Sequence, residues 1–131
     1  MNLLLDSHTL LWLMDDNSSL SATAVDLITT PANVLYLSMA SVWEIAIKCG
    51  LGKLVLSVPY ATFLETAIVG YGLIVLPITL DDCFEYERLE FPDKLHRDPF
   101  DRMIVVHSMR ESLAIVGVDA SFDAYGVKRL W

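Results

Sequence analysis

Leu3-Leu4-Leu5-Asp6-Ser7-His8-Thr9-Leu10-Leu11-Trp12-Leu13-Met14 changes character at a single residue, Asp6. The three leucines read as a short strand buried on both faces. Residues 7–14 read as a helix, with Asp6 or Ser7 able to cap it. The pattern returns near the other end, where Ala114-Ile115-Val116-Gly117-Val118 is a continuous apolar run closed by Asp119. Between them, residues 34–37 and 73–76 read as two further strands by their β-branched and aromatic content. Helices are expected over residues 21–30, from Ser38 or Ser41 to about Cys49 with Gly50 as terminator, from Pro59 to about Gly70, over 79–89, and from Asp98-Pro99 to about Ser112. Residues 90–97 form a polar loop, 121–125 a turn or short helix, and 127–131 a small edge strand. Apolar strands alternating with helices argue for an α/β fold with a parallel sheet covered on both faces. In such folds ligands collect at the carboxyl ends of the strands, and Asp6 and Asp119 both stand at that edge.

A chain of 131 residues is expected to form one domain, 1–131, with a proper core. The 54% hydrophobic content raises the question of a membrane span. The most apolar long stretch, Thr66 to Leu80, is broken by Gly70, Gly72 and Pro77 and is too short to cross a bilayer. The first residues carry Asp6, His8, Asp15 and Asp16 without a basic segment, so no signal peptide is read there, and a cytoplasmic location without membrane association is expected. Cys49 and Cys83 have no metal-ligand spacing and are expected as reduced thiols. A net charge of −8 argues against a protein that coats DNA. It leaves room for a nucleic-acid enzyme whose carboxylates hold metal, and it suits a basic protein partner.

Four acids sit where apolar segments end or are interrupted: Asp6, Glu44, Asp101 and Asp119. Each also has a purely structural reading. Asp6 and Asp119 suit helix caps. Asp98 before Pro99 is a strong N-cap that puts Asp101 in the first helical turn, and Ser41-Val42-Trp43-Glu44 matches a capping box. Capping explains Asp98 well and Glu44 poorly, because Glu44 has apolar neighbours on both sides. If the fold gathers the four, their repulsion makes a divalent cation the natural partner. Carboxylate oxygens suit Mg²⁺ or Mn²⁺. His8, His96 and His107 are scattered; His8, two residues after Asp6, could approach the site but reads rather as a packed or surface histidine, and no glycine-rich phosphate loop is present.

The segments Leu4 to Trp12, Ala40 to Lys48, Leu51 to Leu54, His96 to Arg102 and Val118 to Val127, taken in that order, resemble the PIN-domain ribonucleases, most of all the VapC-like toxins of type II toxin–antitoxin pairs. The resemblance covers essentially the whole chain. It implies a three-layer α/β/α sandwich around a mainly parallel sheet of four or five strands. It implies Asp6 and Asp101 as main ligands of Mg²⁺ or Mn²⁺, with Glu44 and Asp119 completing the set and Asp98 as a helper. It also implies a cognate antitoxin that wraps the toxin, and a homodimer. Ser7 stands where the family often has Thr, and Gly117 where many members carry a hydroxyl residue.

The expected activity is metal-dependent endoribonuclease action, with an activated water attacking the RNA phosphodiester. Lys48, Lys53, Arg97 and Arg102 are the expected phosphate contacts. The alternative is a catalytically weak PIN-like domain that serves mainly to bind protein. A phosphoacceptor signalling domain fits less well, since Asp6 is followed by Ser7 and His8 and Lys128 falls too late.

Overall fold

A computed structural model describes all 131 residues. The chain runs β1 (Asn2–Leu5), α1 (Ser7–Met14), α2 (Ala22–Thr29), β2 (Val34–Ser38), α3 (Met39–Gly50), α4 (Tyr60–Tyr71), β3 (Ile74–Leu76), α5 (Leu80–Arg88), α6 (Pro99–Glu111), β4 (Ala114–Val116), a short 3₁₀ helix (Ala120–Tyr125) and β5 (Arg129–Leu130). The strands form one sheet in the order β3-β2-β1-β4-β5, and every neighbouring pair is parallel. No helix is long and apolar enough to cross a membrane.

Alternation along the strands sorts side chains onto the two faces of the sheet. Leu3, Leu5, Leu35, Leu37 and Val116 join one core with Leu10, Ile28, Ile45 and Phe63 from α1 to α4. Leu4 and Ile115 belong to the opposite core, with Ile104 and Val105 of α6 and with Phe122. The result is the α/β/α sandwich, and it explains why the strands read as unbroken apolar runs: both faces are covered. Leu4 lies opposite Tyr36 of β2 on one side and Ile115 of β4 on the other. The order of connection reverses at that β1–β4 junction, where open α/β sheets form their ligand crevice.

The helix starts follow from local chemistry. Asp98 caps α6 by accepting from the N–H groups of Phe100 and Asp101, with Pro99 as the first helical residue. Thr79 and Asp82 make a reciprocal capping box on α5. The expected box at Ser41 is not formed. Ser38 caps α3 by accepting from Ala40 N–H, so Glu44 lies well beyond the first turn and does no capping. Gly50, expected beyond this helix, is its last residue; Leu51 is the cap, and Gly52 takes the left-handed turn with φ of 72°. Both cysteines are free.

Candidate active site

Asp6 leaves β1 at the junction with β4. Its backbone N–H donates to the carbonyl of Val116 at 3.1 Å, and the Thr9 hydroxyl donates to the same oxygen at 2.8 Å. The start of α1 is thereby pinned to the end of β4. Asp6 caps α1 by accepting from Ser7 N–H at 2.8 Å, and it is only 3% exposed. Glu44 is also buried and reaches the crevice from α3, where its Oε2 lies 3.1 Å from Lys48 Nζ. The Ser7 hydroxyl donates to the Ser41 hydroxyl at 2.9 Å, fastening α3 to α1. Asp101 comes from the first turn of α6. Asp119 follows β4 as the exposed cap of the 3₁₀ helix, accepting from Ser121 N–H at 2.9 Å.

The electrostatics show that the fold gathers these acids. Burial, then the charge of Asp101, and more weakly Glu44 and Asp119, push the Asp6 carboxyl up to about 7. Burial, then the charge of Asp98 and more weakly Glu44, raise Asp101 to about 6, against the opposing hydrogen bond from His96. Mutual elevation does not extend to Asp119. Burial works to raise it, but the hydrogen bonds from Ser121 prevail and hold it below the ordinary carboxylate value. Asp98 uses one oxygen to cap α6, and its negative charge bears on Asp101.

His96, to which the sequence assigned no role, stands in the site. Its Nε2 lies 3.1 Å from Asp101 Oδ2 and its Nδ1 lies 2.9 Å from the Tyr125 hydroxyl. One potential ligand atom from each of His96, Asp101 and Asp119 falls within 4.8 Å of the others. A histidine shortly before a two-acid helix start was the available signal. Nothing in the sequence pairs it with Tyr125.

Of the four expected phosphate contacts, Lys48 sits beside Glu44, while Lys53 and Arg97 are exposed. Arg102 is a correction. It is 1% exposed, with Nη2 donating to Leu89 O at 2.7 Å and Nη1 donating to Glu90 O and the Tyr125 hydroxyl. The Phe91 ring covers its guanidinium at 3.6 Å. Arg102 ties down the loop before α6 and has no face left for RNA.

Gly117 closes the floor of the crevice. A β-carbon there would meet Asp6 Cβ at 3.0 Å and Asp6 Oδ2 at 3.4 Å. The hydroxyl residue common at this place in the resembled family would crowd the first acid.

This donor set fits a hard divalent cation. It offers several carboxylate oxygens, and the cationic groups within salt-bridge distance of the four acids are Lys48 on Glu44 and, when protonated, His96 on Asp101. Asp6, the most buried, has none.

Comparison with known proteins agrees with this fold. A family model described as PIN domain matches residues 3–128. VapBC2 from Rickettsia felis, solved bound to a DNA fragment from its promoter, is similar in structure with a TM-score of 0.73 and 16% identity, covering 99% of this chain and 98% of that one. Mycobacterium tuberculosis VapC20, described as a sarcin–ricin loop cleaving toxin, gives 0.71 and 13% over 95% of each chain. VapBC-1 from nontypeable Haemophilus influenzae gives 0.68 and 18%, covering 99% and 97%. At these identities the likeness is one of fold. No curated protein matches the sequence.

Proposed function

The chain belongs to the PIN-domain family, and from that premise we propose that it is a Mg²⁺- or Mn²⁺-dependent endoribonuclease, the toxin of a toxin–antitoxin pair. One observation carries the reading: a buried Asp6 faces three other carboxylates from separate elements and has no cation against it. A divalent cation, when bound, supplies positive charge for the scissile phosphate and eases ionisation of the attacking water. Asp6 and Asp101 hold it, with Glu44 and Asp119 completing the set. Asp98 holds the start of α6 and thereby Asp101. Lys48, kept at the rim by Glu44, is the nearest side chain for a phosphate oxygen, with Lys53 and Arg97 as outlying contacts. The nearby Ser7 and Ser41 hydroxyls bond to each other, so hydrolysis by water without a covalent intermediate is the favoured course.

RNA is the substrate favoured by the family and by the described activity of the similar VapC20. The cognate partner is an antitoxin whose basic side chain enters the acidic crevice, in keeping with a net charge of −8. A homodimer is the assembly we assign, and light scattering on the purified protein tests it. For the activity, purified protein should cut RNA with Mg²⁺ or Mn²⁺ and stop with chelator. Full cleavage by both Asp6→Asn and Asp101→Asn would overturn the assignment.

A further inference from the structure

We propose that His96 is a positioning residue for Asp101: in its neutral form the ring carries its proton on Nε2, with the tautomer set by Arg102 and Tyr125 on the far side and by Asp101 on the near one. The inference rests on the proposed metal site only for its consequence; the tautomer stands on geometry alone.

The chain of donors starts at a group that cannot reverse. A guanidinium only donates, and Arg102 Nη1 lies 3.2 Å from the Tyr125 oxygen. That oxygen therefore accepts, and its single proton needs an acceptor of its own. His96 Nδ1, at 2.9 Å, is the acceptor in reach. A proton on Nδ1 would leave the phenolic proton without a partner in the protein. The neutral ring then carries its proton on Nε2, 3.1 Å from Asp101 Oδ2. That end supplies an independent argument. An ionised carboxylate needs a donor there, and a bare Nε2 lone pair would face it unfavourably. Both ends select the same tautomer, so Arg102, Tyr125, His96 and Asp101 form a one-way series of hydrogen bonds.

The series decides the role of His96. Its ring nitrogen stands among carboxylate oxygens as a metal ligand would, but a nitrogen bearing a proton has no lone pair for a cation. The ring instead fixes one oxygen of Asp101 and leaves the other to the metal, the service that outer hydrogen bonds give to metal-binding carboxylates. Arg102, expected to touch RNA, acts through three bonds on Asp101.

The tautomer can be read directly by long-range ¹H–¹⁵N correlation spectra of histidine-labelled protein at about pH 8, above the ordinary histidine range. The expected result is an unprotonated Nδ1 and a protonated Nε2 for His96, both without metal and with Mg²⁺. Tyr125→Phe should keep the proton on Nε2, held there by Asp101, but shift the Nδ1 resonance as its hydrogen bond is lost. In the neutral ring, a proton on Nδ1, an unchanged spectrum in Tyr125→Phe, or loss of the Nε2 proton on adding Mg²⁺ would each overturn the proposal. A paired substitution tests the consequence. His96→Gln places an amide N–H near the position of Nε2, whereas His96→Asn places it near Nδ1. Calorimetric Mg²⁺ affinity should fall about 10–100-fold in His96→Asn and largely recover in His96→Gln. Equal affinities in the two variants, with matching thermal stability, would overturn the positioning role. If RNA cleavage failed altogether, the tautomer result would still decide the proposal.

Discussion

Asp6 and Asp82 are buried to nearly the same degree, at 3% and 4% exposure, and their carboxyls shift in opposite directions. Asp82, on α5, is surrounded by donors. It accepts from Thr79 N–H at 2.9 Å and from Arg110 at 3.0 Å, and His107 Nε2 lies 3.2 Å away. Burial works to raise its pKa, but the bonds from Thr79 and the charge and hydrogen bond of His107 pull it below the ordinary value. Asp6 has one backbone N–H and three like charges, and it is pushed up to about 7. His107 also meets the Ser38 hydroxyl at 2.9 Å, so the Asp82 network braces the cap of α3, the helix that carries Glu44. One region is neutralised from within and serves as structure. The other is left short of positive charge, a deficit that the proposed cation would answer.

Substitution should separate the two regions. Asp101→Asn, like Asp6→Asn, should lower RNA cleavage by at least about 100-fold, the scale of losing one electrostatic contact to a transition state. Neither should lower the melting temperature of the metal-free protein, since each removes repulsion. Asp82→Asn should do the reverse. It strands Arg110 and His107 and should cost about 3 kcal/mol in urea unfolding. If Asp82→Asn were neutral while Asp6→Asn unfolded the chain, the contrast would be broken.

Metal should act on one region alone. Mg²⁺ at a hundredfold excess over its Kd should stabilise the wild type by about 2.7 kcal/mol, read as a rise in melting temperature. The rise should persist in Asp82→Asn and shrink in Asp6→Asn. Equal rises in both variants would place the ion elsewhere.

The gentlest effect is in pH. Asp6 and Asp101 have folded-state values near 7 and 6 against an ordinary 3.8. Between these limits the folded protein holds more protons than the unfolded chain, so their contribution is fully present below about 4 and is lost as pH rises through 6 to 7. Asp82 contributes in the opposite sense, and its share is lost only as pH falls through its lowered value. Metal-free melting temperatures of Asp6→Asn should therefore decline less than those of the wild type between pH 4 and 7. Parallel profiles would show that the deficit at Asp6 is not felt by the fold.

Much of this arrangement was legible in the residues. Leu3-Leu4-Leu5 and Ala114-Ile115-Val116 announce strands covered on both sides, and Asp98-Pro99 announces the start of α6. Acids directly after strands point to the ligand edge because a parallel sheet leaves them nowhere else. Other features needed three dimensions. Arg102 beside Asp101 looked like a phosphate contact, but one residue turns a helix by about 100°, which swings it from the crevice into the core. His96 and Tyr125 lie 29 residues apart and meet only because β4 returns beside β1. Asp119 resembles Asp6 in sequence, yet it stands exposed where Asp6 is buried, so the weaker push of burial is outweighed by the hydrogen bonds from Ser121.

A side chain at Gly117 would crowd Asp6, whose Cβ would lie 3.0 Å from the added carbon. A hydroxyl side chain there would require Asp6 to give by a few tenths of an ångström, so these two positions are coupled through contact. Exchanging only one of them between relatives should do more harm than exchanging both, a coupling expected for side chains in contact. Positions 6 and 117 stand 111 residues apart in the chain and adjacent in space.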